Sequence, residues 1–124
     1  MKKPYNYLHI LVLFFSVQSV QIYGQQTEID TNIQSEYNHA IKLFNSKAYA
    51  AAQKYFIEVS ENSTIKNDLK ANADYYDAMC AIKLNQTNAD KKVTSFVNNY
   101  PSSTKKDRAY FNVGNYYFAN KKAA

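Results

Sequence analysis

The sequence predicts an all-α protein built from a row of antiparallel helical hairpins. Beyond residue 24 the chain contains one proline, Pro101, and one glycine, Gly114, so few residues interrupt a helix. Apolar residues recur with a helical period in each of five segments. The segments are joined by short polar connections, and helices joined in this way run antiparallel and in contact.

The first predicted hairpin precedes residue 62. Positions i, i+3, i+4 and i+7 of its first helix are occupied by Tyr37, Ala40, Ile41 and Phe44. After the connection "NSK", the second helix carries an apolar face formed by Tyr49, Ala52, Phe56 and Val59.

The third predicted helix has two apolar sides. One side is formed by Tyr75, Ala78, Met79 and Ile82, and the other by Leu69, Ala73, Tyr76, Cys80 and Leu84. A helix that is apolar on two sides is expected to pack between neighbours.

Two further helices complete the row. The fourth carries Ala89, Val93, Phe96, Val97 and Tyr100, and Pro101 ends it. The fifth carries Tyr110, Val113, Gly114 and Tyr117. The predicted N-cap residues are Thr87 or Asn88 for the fourth helix and Ser102, Ser103 or Thr104 for the fifth.

Residues 1–24 are predicted to be a secretory signal peptide, cleaved after Gly24. Lys2 and Lys3 precede a mostly apolar run from Tyr7 to Val20. The alternative is a membrane anchor, which needs about 20 apolar residues. Polar residues such as His9 interrupt this run too early, so we expect no stable membrane span after cleavage. We predict an exported protein, periplasmic or associated with the outer membrane, with residues 25–33 as a short linker.

Charge and reactive side chains exclude several functions. The net charge of +5 falls to +3 without Lys2 and Lys3, and it is spread along the chain, so we predict no nucleic-acid partner. His39 and Cys80 lie on different hairpins, so no catalytic pair is expected. Asp74 and Asp77 are interpreted as a solvated helix face, since no third metal ligand lies nearby. No cofactor is predicted.

Small residues recur at the centre of alternate helices. Ala40, Ala78 and Gly114 are separated by 38 and 36 residues. The stretch "A-x-x-L-F-N-S-K-x-Y-x-x-A-x-x-x-F", residues 40–56, resembles the tetratricopeptide repeat (TPR), and "NNYPSS…AYFNVGNYYF", residues 98–118, resembles the junction into another such repeat. The chain is similar to periplasmic TPR proteins of envelope assembly and to the N-terminal part of exported TPR proteins of Bacteroidetes.

This resemblance implies a TPR-like α-solenoid of about two and a half repeats over residues 34–124. The repeats would span residues 34–62, 66–101 and, incompletely, 102–124. Small residues would mark helix crossings, and aromatic residues would fill the wedges between hairpins. The predicted repeat-packing residues are Ala40, Tyr49, Ala52, Phe56, Ala78, Ala89, Pro101, Gly114 and Tyr117.

A ladder of large side chains accompanies the small residues. Three positions before each small residue stand Tyr37, Tyr75 and Phe111, and four positions after stand Phe44, Ile82 and Phe118. The resemblance implies that these six residues, called here the ladder, face a concave groove in which family members hold peptide segments. The alternative is that they are core residues.

The resulting functional hypothesis is an exported TPR scaffold that binds a protein or peptide partner in the envelope. The alternative is a helical solenoid that binds a small ligand or glycan. The fifth helix lacks a following partner helix, so we expect the chain to be the N-terminal piece of a longer repeat protein. Its uncovered face around Tyr110, Val113 and Tyr117 is expected to promote self-association.

Overall fold

The computed structural model describes residues 21–62 and 67–122. By contacts the chain divides into two compact units, residues 1–32 and 33–124. Of the first unit the structure describes residues 21–32, which are helical. The core and the candidate site described below belong to the second unit.

The described residues form five α-helices and no strand, which confirms the all-α prediction. The helices are α1 (Gln21–Asn45), α2 (Tyr49–Glu61), α3 (Asn67–Lys83), α4 (Ala89–Asn99) and α5 (Lys106–Lys122). None of the described helices is long and apolar enough to cross a membrane.

The residues predicted as a short linker, 25–33, lie within α1. Residues 25–33 are helical, because they contain neither proline nor glycine and Ile33 is buried against the first core cluster. Most of the predicted signal peptide, residues 1–20, lies outside the described residues.

Side-chain contacts give the relative directions of the helices. Phe44 at the end of α1 contacts Tyr49 at the start of α2, and His39 contacts Tyr55 further along, so α1 and α2 are antiparallel. Helices α2 and α3 are also antiparallel, because Gln53 bonds to Asp77 and the later residue Ser60 bonds to the earlier residue Asp74. Helices α3 and α4 are antiparallel too, because Asp77 pairs with Lys92 and the earlier residue Asp74 bonds to the later residue Tyr100.

In contrast, α3 and α5 run parallel and in contact. Near the start of each helix Lys105 bonds to Asn72, and further along Asn112 bonds to Met79. Helices α3 and α5 therefore lie side by side.

The turns after α1 and α3 have the same backbone structure. Lys47 and Asn85 are both left-handed, with φ of 64° and 54°. The next residue in each turn donates its N–H across the helix end, Ala48 to the Leu43 carbonyl and Gln86 to the Ala81 carbonyl, each at 2.9 Å. This is the Schellman arrangement. The two turns are 38 residues apart, the same separation as Ala40 and Ala78.

Helix α3 packs between two clusters, which confirms the prediction from its two apolar sides. Ala73 and Cys80 belong to the first cluster with Phe56, whereas Tyr75 and Met79 belong to the second with residues of α4. Leu84, predicted on an apolar side of α3, is instead exposed in the turn after the helix.

The predicted repeat-packing residues differ in burial. Five of them are buried: Ala40, Ala52, Phe56, Ala78 and Ala89. Tyr49 is half-buried against Phe44, whereas Pro101 is exposed in the turn after α4.

Gly114 does not lie at a helix crossing among the described residues. A Cβ added at Gly114 would meet no atom within 4 Å, and Tyr117, one turn further on, is also exposed. None of the described helices packs on this side of Gly114, so the small size of residue 114 meets no packing demand from the described residues.

The structure agrees with the predicted N-cap position of α4 and corrects that of α5. Asn88 occupies the N-cap position of α4, but its side chain makes no capping hydrogen bond. The turn before α5 extends through Lys105, so the helix begins after the predicted cap residues, and the Ser103 hydroxyl accepts the N–H of Lys105 at 3.3 Å.

Replacing Ala52 by leucine tests the packing of α2. Ala52 is fully buried, so Ala52→Leu should overfill the first cluster and lower the free energy of unfolding by about 1–3 kcal/mol. Lys54→Leu is the control, because the Lys54 side chain is 76% exposed. Equal effects of the two substitutions in urea unfolding would contradict the assignment of Ala52 to the core.

Candidate functional site

A cleft of about 230 Å³ lies across α1, α3 and α5. Its apolar floor is formed by Phe44, Tyr75, Tyr76, Met79 and Ile82, and its polar rim by Lys83, Lys105, Arg108 and Asn112. The cleft therefore joins alternate helices of the chain.

Aromatic contacts fix the floor of the cleft. The ring of Tyr76 contacts Phe44 and Tyr75, each with ring centroids 5.1 Å apart and nearly perpendicular planes. On α2, Phe56 stacks on Tyr76 at 5.1 Å with an interplanar angle of 15°. Since Phe56 is fully buried, the floor of the cleft is continuous with the core and is held rigidly.

The rim of the cleft is positively charged. Lys83, Lys105 and Arg108 line it, and no lining residue is acidic. The Lys105 ammonium donates to Asn72 Oδ1 at 2.6 Å and lies 5.8 Å from the centre of the Tyr75 ring, so the cation is held in place without being neutralised.

The phenol of Tyr75 remains protonated in this environment. Burial raises its pKa, and the neighbouring Arg108 opposes this shift in part. At neutral pH the cleft therefore presents cations and a neutral phenol.

The structure separates the six ladder residues. Phe44, Tyr75 and Ile82 line the cleft together, although Tyr75 is only 4% exposed and also belongs to the second core cluster. Tyr37 is half-buried and packs against the first core cluster, with its ring against Phe56 and Tyr76 at 5.8 and 6.4 Å.

The remaining two ladder residues do not line the cleft. Phe111 and Phe118 on α5 are 68% and 67% exposed. Tyr110 and Tyr117 are exposed on the same helix, as the sequence predicts, whereas Val113 packs against the second cluster.

A polar network on the other side of α3 was not predicted. The buried Gln53 donates to Asp77 Oδ1 at 2.8 Å, and its amide exchanges two hydrogen bonds with the amide of Gln86 at 3.1 and 2.7 Å. Lys92 pairs with Asp77 at 2.6 Å, and the Tyr116 hydroxyl donates to the Gln86 carbonyl at 2.9 Å. The network joins α2, α3, α4 and α5.

Asp74 also lies within a network, so the interpretation of Asp74 and Asp77 as a solvated face is wrong. Asp74 accepts hydrogen bonds from the hydroxyls of Ser60 and Tyr100, the latter at 2.7 Å. Burial and the bond to Asp74 both raise the pKa of Tyr100. The sequence contains a signal for this network. In the TPR-like register of the second repeat, Asp74 and Asp77 fall at positions where apolar contacts are expected.

His39 and Cys80 lie in different surroundings. His39 is exposed and contacts the ring of Tyr55, with centroids 4.9 Å apart. Cys80 is fully buried in the first cluster, where burial and Asp77 raise the pKa of its thiol to about 12. Within the part of the chain that the structure describes, no group of three or more His, Cys, Asp or Glu could hold a metal ion.

A second cleft, of about 700 Å³, lies between the start of α3 and the α4–α5 turn. Short polar side chains provide most of its lining, among them Asp68, Asn72, Asn99 and Ser103. Lys105 lines both clefts.

No family model, no curated protein and no solved structure matches this chain.

Removing the charge of Asp77 tests the polar network. Asp77→Asn should lower the free energy of unfolding by about 1–3 kcal/mol, because Lys92 and Gln53 lose a charged, half-buried acceptor. Asp90→Asn is the matched control, since the Asp90 carboxylate bonds to Tyr117 in an exposed pair and to backbone N–H groups at the start of its own helix, but to no residue of the network. Equal urea midpoints for Asp77→Asn and the unaltered chain would show that the network does not stabilise the fold.

The Cys80 thiol provides a test at alkaline pH. Folding raises the pKa of the Cys80 thiol from 9.0 to about 12. The contribution of the neutral, buried thiol to the free energy of unfolding is therefore complete below pH 9 and is lost as the pH rises toward 12. We expect an aromatic disulfide reagent at pH 8 to react with Cys80 only after unfolding, and Cys80→Ala to lose less stability than the unaltered chain between pH 9 and 12. Rapid reaction of the native thiol would contradict this assignment.

Proposed function

We propose that this chain is an exported, TPR-like scaffold whose cleft binds a segment of a protein partner in the bacterial envelope. The observation that carries the proposal is the cleft, which combines a rigid aromatic floor with a polar rim on the first helices of three hairpins. Pockets that join an apolar lining to a few fixed polar groups are typical binding sites.

Two features support a repeat architecture of the TPR kind. The Schellman turns after α1 and α3 recur at the 38-residue separation of Ala40 and Ala78. The parallel contact of α3 with α5 is what stacked hairpins require of their first helices. Together with the TPR-like sequence at residues 40–56, they favour an α-solenoid.

Export rests on the N-terminal sequence. The basic start, the short apolar run and Gly24 fit a cleaved signal peptide. We expect N-terminal sequencing of protein recovered from the periplasm or the outer-membrane fraction to begin near Gln25. Recovery of the chain with Met1 from the inner membrane would contradict export by cleavage.

The second candidate function is the capture of a small polar ligand such as a glycan. It is favoured by the second cleft, whose amide, hydroxyl and carboxylate side chains are suited to sugar hydroxyls. The chemistry of the two clefts distinguishes the candidates, since three aromatic rings line the smaller cleft and one, that of Tyr100, is found in the lining of the larger.

Site-specific crosslinking tests the protein-binding function. A photoreactive benzoylphenylalanine replaces Lys83 at the rim of the cleft, and in a matched control it replaces the exposed Lys54 on α2. We expect a discrete protein adduct from the envelope fraction of the source organism at residue 83 and none at residue 54.

Two results would contradict the protein-binding function. Equal adducts at both positions would show unspecific crosslinking. An absence of adducts, combined with glycan-array binding that Asn99→Ala removes, would favour the second candidate function.

A further inference from the structure

The charges around the smaller cleft restrict the partner that it fits. We infer that the cleft selects an acidic segment that carries one large apolar side chain. This inference rests on the proposed function and adds to it the chemistry of the partner.

The size and lining of the cleft define the apolar part. At about 230 Å³ the cleft is smaller than pockets for drug-sized ligands, which occupy about 300–1,000 Å³, so it holds a single side chain. Its floor offers two tyrosine rings, Phe44, Met79 and Ile82. A leucine or phenylalanine side chain of the partner fits this lining.

The rim defines the acidic part. Lys83 lies at the end of α3, while Lys105 and Arg108 lie at the start of α5, so cations flank the floor on two sides. The ion pairs found among the described residues, Lys92–Asp77 and Lys54–Glu58, include none of these three cations. Their charge is therefore available to carboxylates of the partner.

Asp74 and Asp77 of α3 do not reduce this field at the rim. Asp77 is paired with Lys92, and Asp74 is bonded to Tyr100; both partners belong to α4 or its end, and neither carboxylate lines the cleft. The second cleft differs, because Asp68 lies with Lys105 in its lining. Selection for acidic partners is accordingly a property of the smaller cleft.

The two parts have different energetic roles. Burial of the apolar side chain on a preformed floor supplies most of the affinity. Arg108 and Lys83 are exposed, so their attraction for carboxylates is screened by salt and contributes mainly to selectivity and association rate. Binding should therefore weaken with ionic strength without being abolished.

The experiment selects peptides from a random nine-residue display library on the full chain and measures synthetic representatives by fluorescence anisotropy. We expect enriched peptides with one leucine or phenylalanine and two or more acidic residues. The double variant Lys105→Gln with Arg108→Gln should bind these peptides about tenfold more weakly, because two surface ion pairs with the peptide are lost. It should also lose most of the salt dependence of binding.

The matched control is Lys91→Gln with Lys121→Gln, which removes the same net charge from exposed residues that do not line the cleft. This control should leave binding unchanged. A thermal melt of each variant establishes that it is folded.

The remaining outcomes separate the inference from the proposed function. Enrichment of neutral or basic peptides whose binding Ile82→Lys removes would keep the binding function and overturn the acidic selectivity. An equal loss of binding in the control variant would also overturn it, because the effect would be one of net charge alone. If no peptide is enriched, both the inference and the peptide-binding function fail.

Discussion

The stacked pair of Phe56 and Tyr76 is the contact on which the rest of the structure depends. Their ring centroids are 5.1 Å apart and their planes differ by 15°. The pair joins the second helix of one hairpin to the first helix of the next, and Phe44 meets both rings edge-on. Offset aromatic pairs of this kind add to the free energy of burial and also fix orientation. Tyr76 contacts both core clusters, so the two hairpins share one interior.

Helix α3 has different neighbours on each of its sides. Two sides bury apolar residues in the two clusters; between them, one edge carries the network of Gln53, Asp77 and Lys92. Another part of its surface, with Tyr75, Tyr76 and Ile82, forms the floor of the cleft. A substitution in the floor of the cleft therefore also acts on packing, whereas the exposed rim residues Lys83 and Arg108 can be changed with less effect on the core. Charge at these two positions can therefore vary with little effect on stability.

Periodicity in the sequence predicted the five helices and the position of α3 between neighbours, because burial on one or two sides leaves a direct pattern of apolar residues. The separation of Ala40 and Ala78 likewise agrees with the recurrence of the turns at Lys47 and Asn85. Periodicity does not identify the neighbour that a face meets, so it could not distinguish Phe44 in the cleft from Phe118 on the exposed side of α5. The Gln53–Asp77 contact joins side chains 24 residues apart, and no local pattern encodes such a pair.

The claim that Tyr76 couples the two hairpins into one cooperative unit is tested most directly by native-state hydrogen exchange. In the Tyr76→Leu variant, the slowest amides of α2 and α4 should lose the same free energy of opening, because both clusters share this ring. The exposed Tyr110→Leu serves as the control and should leave both helices protected. Loss of protection in α2 alone, with α4 unchanged, would show that the hairpins open independently and would contradict the account.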